Sequence, residues 1–288
     1  MLNPTQLLAS LVDGLLIGFV YGLAAMGLTL IWGVMRVINL AHGAIMALGM
    51  FSLYFLFNSL GLNPYLAMPL VAALGLAGGF LIYGVAVQRV INAPHLSSLL
   101  ATFAVNMMLI GAGTALFTTS PFNIEFSLGR ATLGPLVLPV TRLVAAGVAL
   151  LAAGGLYLFL YRTRTGKAIR AVANNRSAAE LMGIPSNRML ALSFGLGVML
   201  AAVAGSLIAT FFPFTILSGS AYQLNSFVIG VLGGLGNPLG ALVGGLILGL
   251  LEGSVSVFLP VNWVPVIEFG LFVLILLVRP SGLFGARQ

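Results

Sequence analysis

The chain has no cysteine, which excludes disulfides, thiolate nucleophiles and cysteine-ligated metals. Charge is scarce as well. Twelve Lys and Arg and five Asp and Glu make up 6% of 288 residues, too few to clothe a water-facing domain of this size. The same scarcity excludes disordered tails, nucleic-acid-binding arms, and coiled-coil or collagen-like assemblies. With two His residues there is no plausible Ser-His-Asp set and no H-E-x-x-H zinc site. The one Gly-Lys pair, Gly166-Lys167, has Tyr161 and Ala168 where a phosphate-binding loop requires Gly and Ser or Thr. The chain therefore reads as no enzyme by itself.

What is present is apolar: 60% of the residues are hydrophobic and the mean hydropathy is +1.14. The fold class this predicts is an all-α polytopic membrane protein, a single domain over residues 1–288. The N-terminal segment lacks the basic stretch of a cleaved signal peptide, so its first apolar run reads as a retained helix. A span needs about 20 apolar residues. Breaking the sequence at Pro, Gly, Asn and charge clusters leaves eight to nine transmembrane helices, roughly 7–33, 37–57, 65–89, 96–117, 143–161, 189–210, a short 222–235, 239–258 and 264–278. The short Gly-broken segment either spans or is re-entrant, and a re-entrant segment is tolerated only where protein buries it or it lines a cavity. The net charge of +7 and pI near 10.4 gain meaning from where the charges fall. With nine spans, ten of the twelve basic residues share one side and only Arg130 and Arg142 lie on the other. This predicts an external N-terminus, a cytoplasmic C-terminus, an irregular external cap at 118–142 and a cytoplasmic loop at 162–188.

Glycine supplies 37 residues, with four-residue spacing at Gly14, Gly18 and Gly22, and again at Gly245, Gly249 and Gly253. Small residues at this spacing let helix backbones approach closely. The stretch Arg36-Val-Ile-Asn-Leu-Ala-His-Gly43 interrupts the apolar run, with Asn39 expected to cap the second helix. His42 admits two readings, a ligand or proton site, or a side chain that merely satisfies a backbone group. Gly233-Gly-Leu-Gly-Asn-Pro238 forms a similar break, and paired interrupted helices surround the path in transporters with internal repeats. Asp13, Glu252 and Glu268, with Asn106 and Asn225, lie inside apolar segments. Intramembrane polar groups of this kind usually face a protein interior or water. Asn39, His42, Asn225 and Glu252 are the candidate path residues. Snorkelling to the interface is the alternative for the carboxylates.

The one long polar stretch, Tyr161–Arg188, carries a candidate helix. Ser177-Ala-Ala-Glu180 fits a capping box, with Ser177 as N-cap and Glu180 reaching back to it. Gly183 and Pro185 supply the stop. A helix under two turns long is marginal in water, so its punctuation points to bracing in a partner's groove. The alternative is a basic loop that only sets orientation. Before it, Ile169, Val172 and Ala173 share one side of a stretch that can lie along the membrane surface.

Three stretches carry a family resemblance: Gly27-Leu-Thr-Leu-Ile-Trp-Gly-Val-Met-Arg-Val-Ile-Asn-Leu-Ala-His-Gly43, Thr165–Ala173 with Ala179-Glu-Leu-Met-Gly-Ile184, and Gly230–Ala241 with Leu277-Val-Arg-Pro-Ser-Gly-Leu-Phe-Gly285. Through them the chain resembles the membrane permease subunits of bacterial ABC importers for branched-chain amino acids, of the LivH type. The resemblance implies a multi-pass inner-membrane permease working with a second permease subunit, two cytoplasmic ATPases and a periplasmic binding protein, surrounded by lipid and without nucleic acid. ATP and Mg would be bound by the ATPases, with no cofactor in this chain. Ser177, Ala178, Ala179, Glu180, Leu181 and Gly183 would form the coupling helix. Substrate is less constrained, since related permeases are thought to handle urea, short amides or other amino acids. A rival of another class is a stand-alone channel or secondary carrier for a small polar solute such as urea or an amide. A carrier should show coupling carboxylates at mid-membrane, and a channel has no need of a capped cytoplasmic helix.

Overall fold

Residues 4–35 contain no proline beyond Pro4, and despite glycines at 14, 18, 22, 27 and 33 they form one 32-residue helix, α1 (Pro4–Met35). The computed structural model describes residues 4–134, 136–279 and 281–285; Pro135 of the 118–142 cap, Pro280 of the Leu277–Gly285 stretch and Arg287, one of the ten basic residues on the same side, lie outside them. At about 1.5 Å per residue α1 is roughly 48 Å long, well beyond the ~30 Å hydrocarbon core. It is followed by α2 (His42–Leu60), α3 (Met68–Val90), α4 (His95–Phe117), α5 (Val140–Arg162), α6 (Arg164–Asn174), α7 (Arg176–Leu181), α8 (Ser186–Ala209), α9 (Gly219–Gly233), α10 (Pro238–Phe258) and α11 (Val264–Val278). Seven of these are long and apolar enough to cross a membrane: α1, α2, α3, α4, α5, α8 and α10. The 15-residue α11 is a shorter apolar helix. The expected short seventh segment is the 15-residue α9, which begins at mid-bundle as described below.

Two helices form the centre. The most apolar stretch of α1 is 83% buried and that of α8 is 78% buried, whereas that of α4 is 11% buried. Phe51, Phe194, Met26, Met46 and Met50 fill the space around them with almost no exposure, methionine supplying the adaptable volume. The glycine series interlock as their spacing predicts. A methyl group on Gly14 would strike the Gly249 carbonyl, one on Gly18 the Gly245 carbonyl, and one on Gly22 would press on Leu242. Thus α1 and α10 run antiparallel in near backbone contact, where dispersion replaces the missing hydrophobic drive. Across α2 and α8, the Ser206 hydroxyl donates to the Gly49 carbonyl at 2.8 Å. Such bonds contribute about 0.6 kcal/mol on average between membrane helices, so close packing dominates.

The cap at 118–142 is more regular than expected. Arg130–Leu133 (β1) and Leu136–Pro139 (β2) pair antiparallel as a hairpin, with Gly134 at positive φ in the turn. Upstream, Phe122 exchanges backbone hydrogen bonds with Phe214 at 2.8 and 2.9 Å. Both rings pack on Phe51 of α2, which ties the cap to the bundle.

After Met35 the chain turns at Arg36, whose φ is +56°, and doubles back. The His42 ring faces the backbone of Ala24, 11 residues up α1, so α2 starts deep in the bundle. Asn39 is not its N-cap. The Asn39 side chain accepts from the Ala41 N–H at 3.1 Å, while Ala41 occupies the cap position without a side-chain bond. The first turn is closed from another helix instead: the Gly43 N–H donates to Gln223 Oε1 at 3.1 Å. Further along, α9 keeps pace with α1, Tyr222 beside Tyr21, Gly230 beside Thr29, and Gly236 beyond it against Gly33. Helix α9 therefore begins at mid-bundle, against the start of α2.

Candidate functional site

The 162–188 loop folds into two short helices set on the bundle. Thr163 caps α6 by accepting from the Gly166 N–H at 2.9 Å, and Gly166 lies so close to the Leu160 backbone that no side chain would fit. Arg170 donates through Nε to the Leu160 carbonyl at 3.1 Å and stacks over the Tyr161 ring at 4.3 Å. Ile169 and Val172 are buried against protein, so this face packs on the bundle rather than on the membrane surface.

Helix α7 departs from the expected capping box. Asn175, not Ser177, is the N-cap, and its Oδ1 accepts from the Ala178 N–H at 3.0 Å. The Glu180 carboxylate accepts from Arg176 Nε at 3.1 Å and does not reach back to Ser177. The reason is local. Asn175 has the extended backbone that an N-cap needs, and an i,i+4 arginine competes for the carboxylate. The expected stop is present: Gly183 takes φ +79°, its N–H donates to the Glu180 carbonyl at 2.9 Å, and the Ile184 N–H to that of Ala179 at 3.0 Å, a Schellman closure. Arg176 also reaches Asn92 in the α3–α4 turn at 3.0 Å, and Tyr83 of α3 donates to Asn187 of α8 at 2.6 Å.

Of the candidate coupling residues, Ala179 is buried, while Ser177, Ala178, Glu180, Leu181 and Gly183 are exposed. Leu181 is 89% and the adjoining Met182 82% exposed, although the helix presenting them is fixed at both ends. Sequence reading named Leu181 and passed over Met182 and the true cap, Asn175.

The candidate path residues fall in two places. Asn39 and His42 are almost fully buried beside the starts of α2 and α9, and Asn39 Nδ2 has no hydrogen-bond partner among the described residues. Asn225 follows two residues after Gln223 on α9. Glu252 belongs to a separate cluster nearer the hairpin end. There the Tyr21 hydroxyl lies beside its carboxylate, whose Oε2 has no partner among the described residues, Asp13 is paired with Arg142, and Glu268 is 5% exposed with Oε1 unpartnered. The Arg142 guanidinium also lies over Phe211 and Phe212 at 5.6 and 5.4 Å. Asp13 and Glu252 thus share one arginine, and Glu268 lies beside Glu252. Sequence reading counted Arg142 only as an external charge; an unpaired Asp13 in an apolar run was the signal for a basic partner.

Arg142→Met should be costly, because it leaves Asp13 and Glu252 without their counter-charge. Breaking a fully buried pair costs about 3–5 kcal/mol. The side chains here are 20% and 29% exposed, so about 1–2 kcal/mol is expected, read as a lower thermal midpoint of the purified protein in detergent. An unchanged midpoint would remove the structural role of the pair.

Comparison with known proteins adds an independent line. The family described as branched-chain amino acid transport system / permease component matches residues 10–276. The chain is 31% identical over 300 residues to the high-affinity branched-chain amino acid transport system permease protein BraD of Pseudomonas aeruginosa, covering 98% of this chain and 96% of BraD. It is similarly 31% identical over 299 residues to LivH of Escherichia coli, with 98% and 96% coverage. The ribose import permease protein RbsC of Escherichia coli is 30% identical over 208 residues, 67% of this chain and 62% of RbsC. No solved structure matches the chain. These matches favour a transport-system permease over a stand-alone channel or carrier.

Proposed function

Because the chain belongs to the permease-component family of branched-chain amino acid transport systems, we propose that it is the membrane subunit of an ATP-driven importer for branched-chain amino acids. In this reading it lies in the bacterial inner membrane with its N-terminus outside. It pairs with a second permease and receives solute from a periplasmic binding protein. Two cytoplasmic ATPases bind ATP and Mg and drive it. The observation that carries the reading is the exposed Leu181–Met182 pair on a short helix closed at both ends. An apolar pair presented this way, in a polar loop, fits a groove on a partner.

The geometry supports a mechanism for transmitting movement. Helix α7 is bound through Arg176 to the α3–α4 turn, and Tyr83 binds α3 to the start of α8. Arg170 fixes α6 to the end of α5. A displacement of α7 by closing ATPases therefore moves several helix ends together. Among them is α8, one of the two central helices, whose Gly205 and Ala202 lie against Met46 and Gly49 of α2. Movement at the loop reaches the start of α2 through this contact.

The test is to tag the C-terminus, solubilise in mild detergent and identify what co-purifies. ATPases carrying a phosphate-binding loop and a second multi-span subunit are expected. Gly183→Val should lose the ATPases, since Gly183 has open space around it but a φ of +79° that a β-branched residue resists. A chain that elutes alone in several detergents would contradict the reading. Orientation is tested separately: a single cysteine at position 174 should react only from the cytoplasm and one at 128 only from outside, and swapped accessibility would reverse the assignment.

A further inference from the structure

At mid-bundle α2 and α9 start against one another. The Gly43 and Gly219 backbones touch so closely that neither position accepts a methyl group, and Gln223 caps the Gly43 N–H. Two helix N-termini meeting inside a membrane bring two positive dipole ends together. Beside this junction lies a cavity of about 250 Å³. Ala44 of α2, Asn106 and Ile110 of α4, Ile216 before α9, and Ser220, Gln223 and Leu224 of α9 form its walls.

The lining has a definite chemical character. Three residues are amides or a hydroxyl, four are aliphatic, and no ionisable side chain lines the space. A solute with net charge would find no counter-charge, and a polyol would waste the aliphatic wall. A net-neutral solute with one polar end and one branched aliphatic end suits both. Asn106 is a further pointer, because it makes no hydrogen bond among the described residues and an idle amide at this depth is costly unless it meets water or solute. Asn39, 1% exposed at the same junction, likewise leaves Nδ2 unpartnered.

We propose that this cavity between α2, α4 and α9 is the resting place of the transported amino acid. Its carboxylate faces the paired helix N-termini, its ammonium group donates to the Asn106 amide oxygen, and its aliphatic side chain lies against Ile110, Ile216 and Leu224. The inference rests on the amino-acid import reading above and adds the place and the means of recognition. It also accounts for the interruption of α1–α2: only a helix that begins at mid-depth can present its N-terminus to a solute there.

The test uses the complete transporter in proteoliposomes with saturating binding protein outside, following radiolabelled leucine and valine. Asn106→Leu should lower leucine uptake about ten-fold or more, the loss of one hydrogen bond to a charged group. A purely structural role predicts no loss, because Asn106 has no bond to lose. Ile110→Phe, which fills the cavity, should lower leucine uptake more than valine uptake. Co-purification of the ATPases confirms that each variant is assembled, and Asn106→Leu decides alone if Ile110→Phe does not assemble. Wild-type uptake in the assembled variants would overturn the site and leave the import reading standing. An assembled wild-type transporter that moves neither amino acid would overturn both.

Discussion

Replacing Leu181 and Met182 together by Asp is expected to lower ATP-driven uptake about 100-fold or more while the permease still accumulates in the membrane. Both side chains are more than four-fifths exposed, so the folded chain gains little from them and loses little with them. Docked in a partner groove, each would contribute roughly 1.5–3 kcal/mol. Losing both is about 3–6 kcal/mol, or two to four powers of ten in affinity, before the cost of burying two carboxylates. The measurement is uptake in cells matched for membrane-inserted protein, alongside ATPase co-purification. Normal uptake in the double variant would remove α7 from the coupling path.

A second large effect is expected at the packed glycines. A side chain at Gly249 would run into the Gly14 carbonyl and the Gly18 backbone, and backbone cannot move aside as a flexible side chain can. Gly249→Leu should therefore force α1 and α10 apart. Overpacking costs about 1–3 kcal/mol where a core can adjust, and here α1 is one of the two central helices. Accumulation of folded protein, followed by size-exclusion in detergent, should fall to a small fraction of wild type. Gly147→Leu is the matched control: Gly147 is on an exposed face of α5 with nothing within 4 Å, and it should accumulate normally. Equal accumulation of the two variants would refute the interlocked packing.

The sequence made the helices and this packing legible because both depend on short-range patterns: apolar length for a span, and four-residue spacing for a glycine face. The end of α7 was legible for the same reason, since Gly183 and Pro185 act through the residues next to them. Its start was not. Asn175 and Ser177 both have capping side chains, and the choice depended on the backbone at Asn175 and on Arg176 taking the Glu180 carboxylate. The hairpin at 130–139 was hidden by short strands around a single glycine turn. The Asp13–Arg142 pair joins residues 129 positions apart, and no local pattern carries that.

The deepest gap concerns α2. Hydropathy marks where the apolar run breaks but cannot show that the chain doubles back along α1 before resuming. The consequence is that Gln223, a residue with no distinguishing local pattern, closes the first turn of α2. Asn39 was singled out as a cap and Asn225 for its polarity, and the residue that joins the two interrupted helices, Gln223, lies two positions before Asn225 in sequence.

The central claim, import of branched-chain amino acids driven by partner ATPases, is tested most directly in proteoliposomes. These contain the permease with its co-purified partners, ATP inside and binding protein with labelled leucine outside. The account predicts leucine accumulation against its gradient that requires both ATP and binding protein. Leucine that merely equilibrates, at the same rate without ATP, would contradict it.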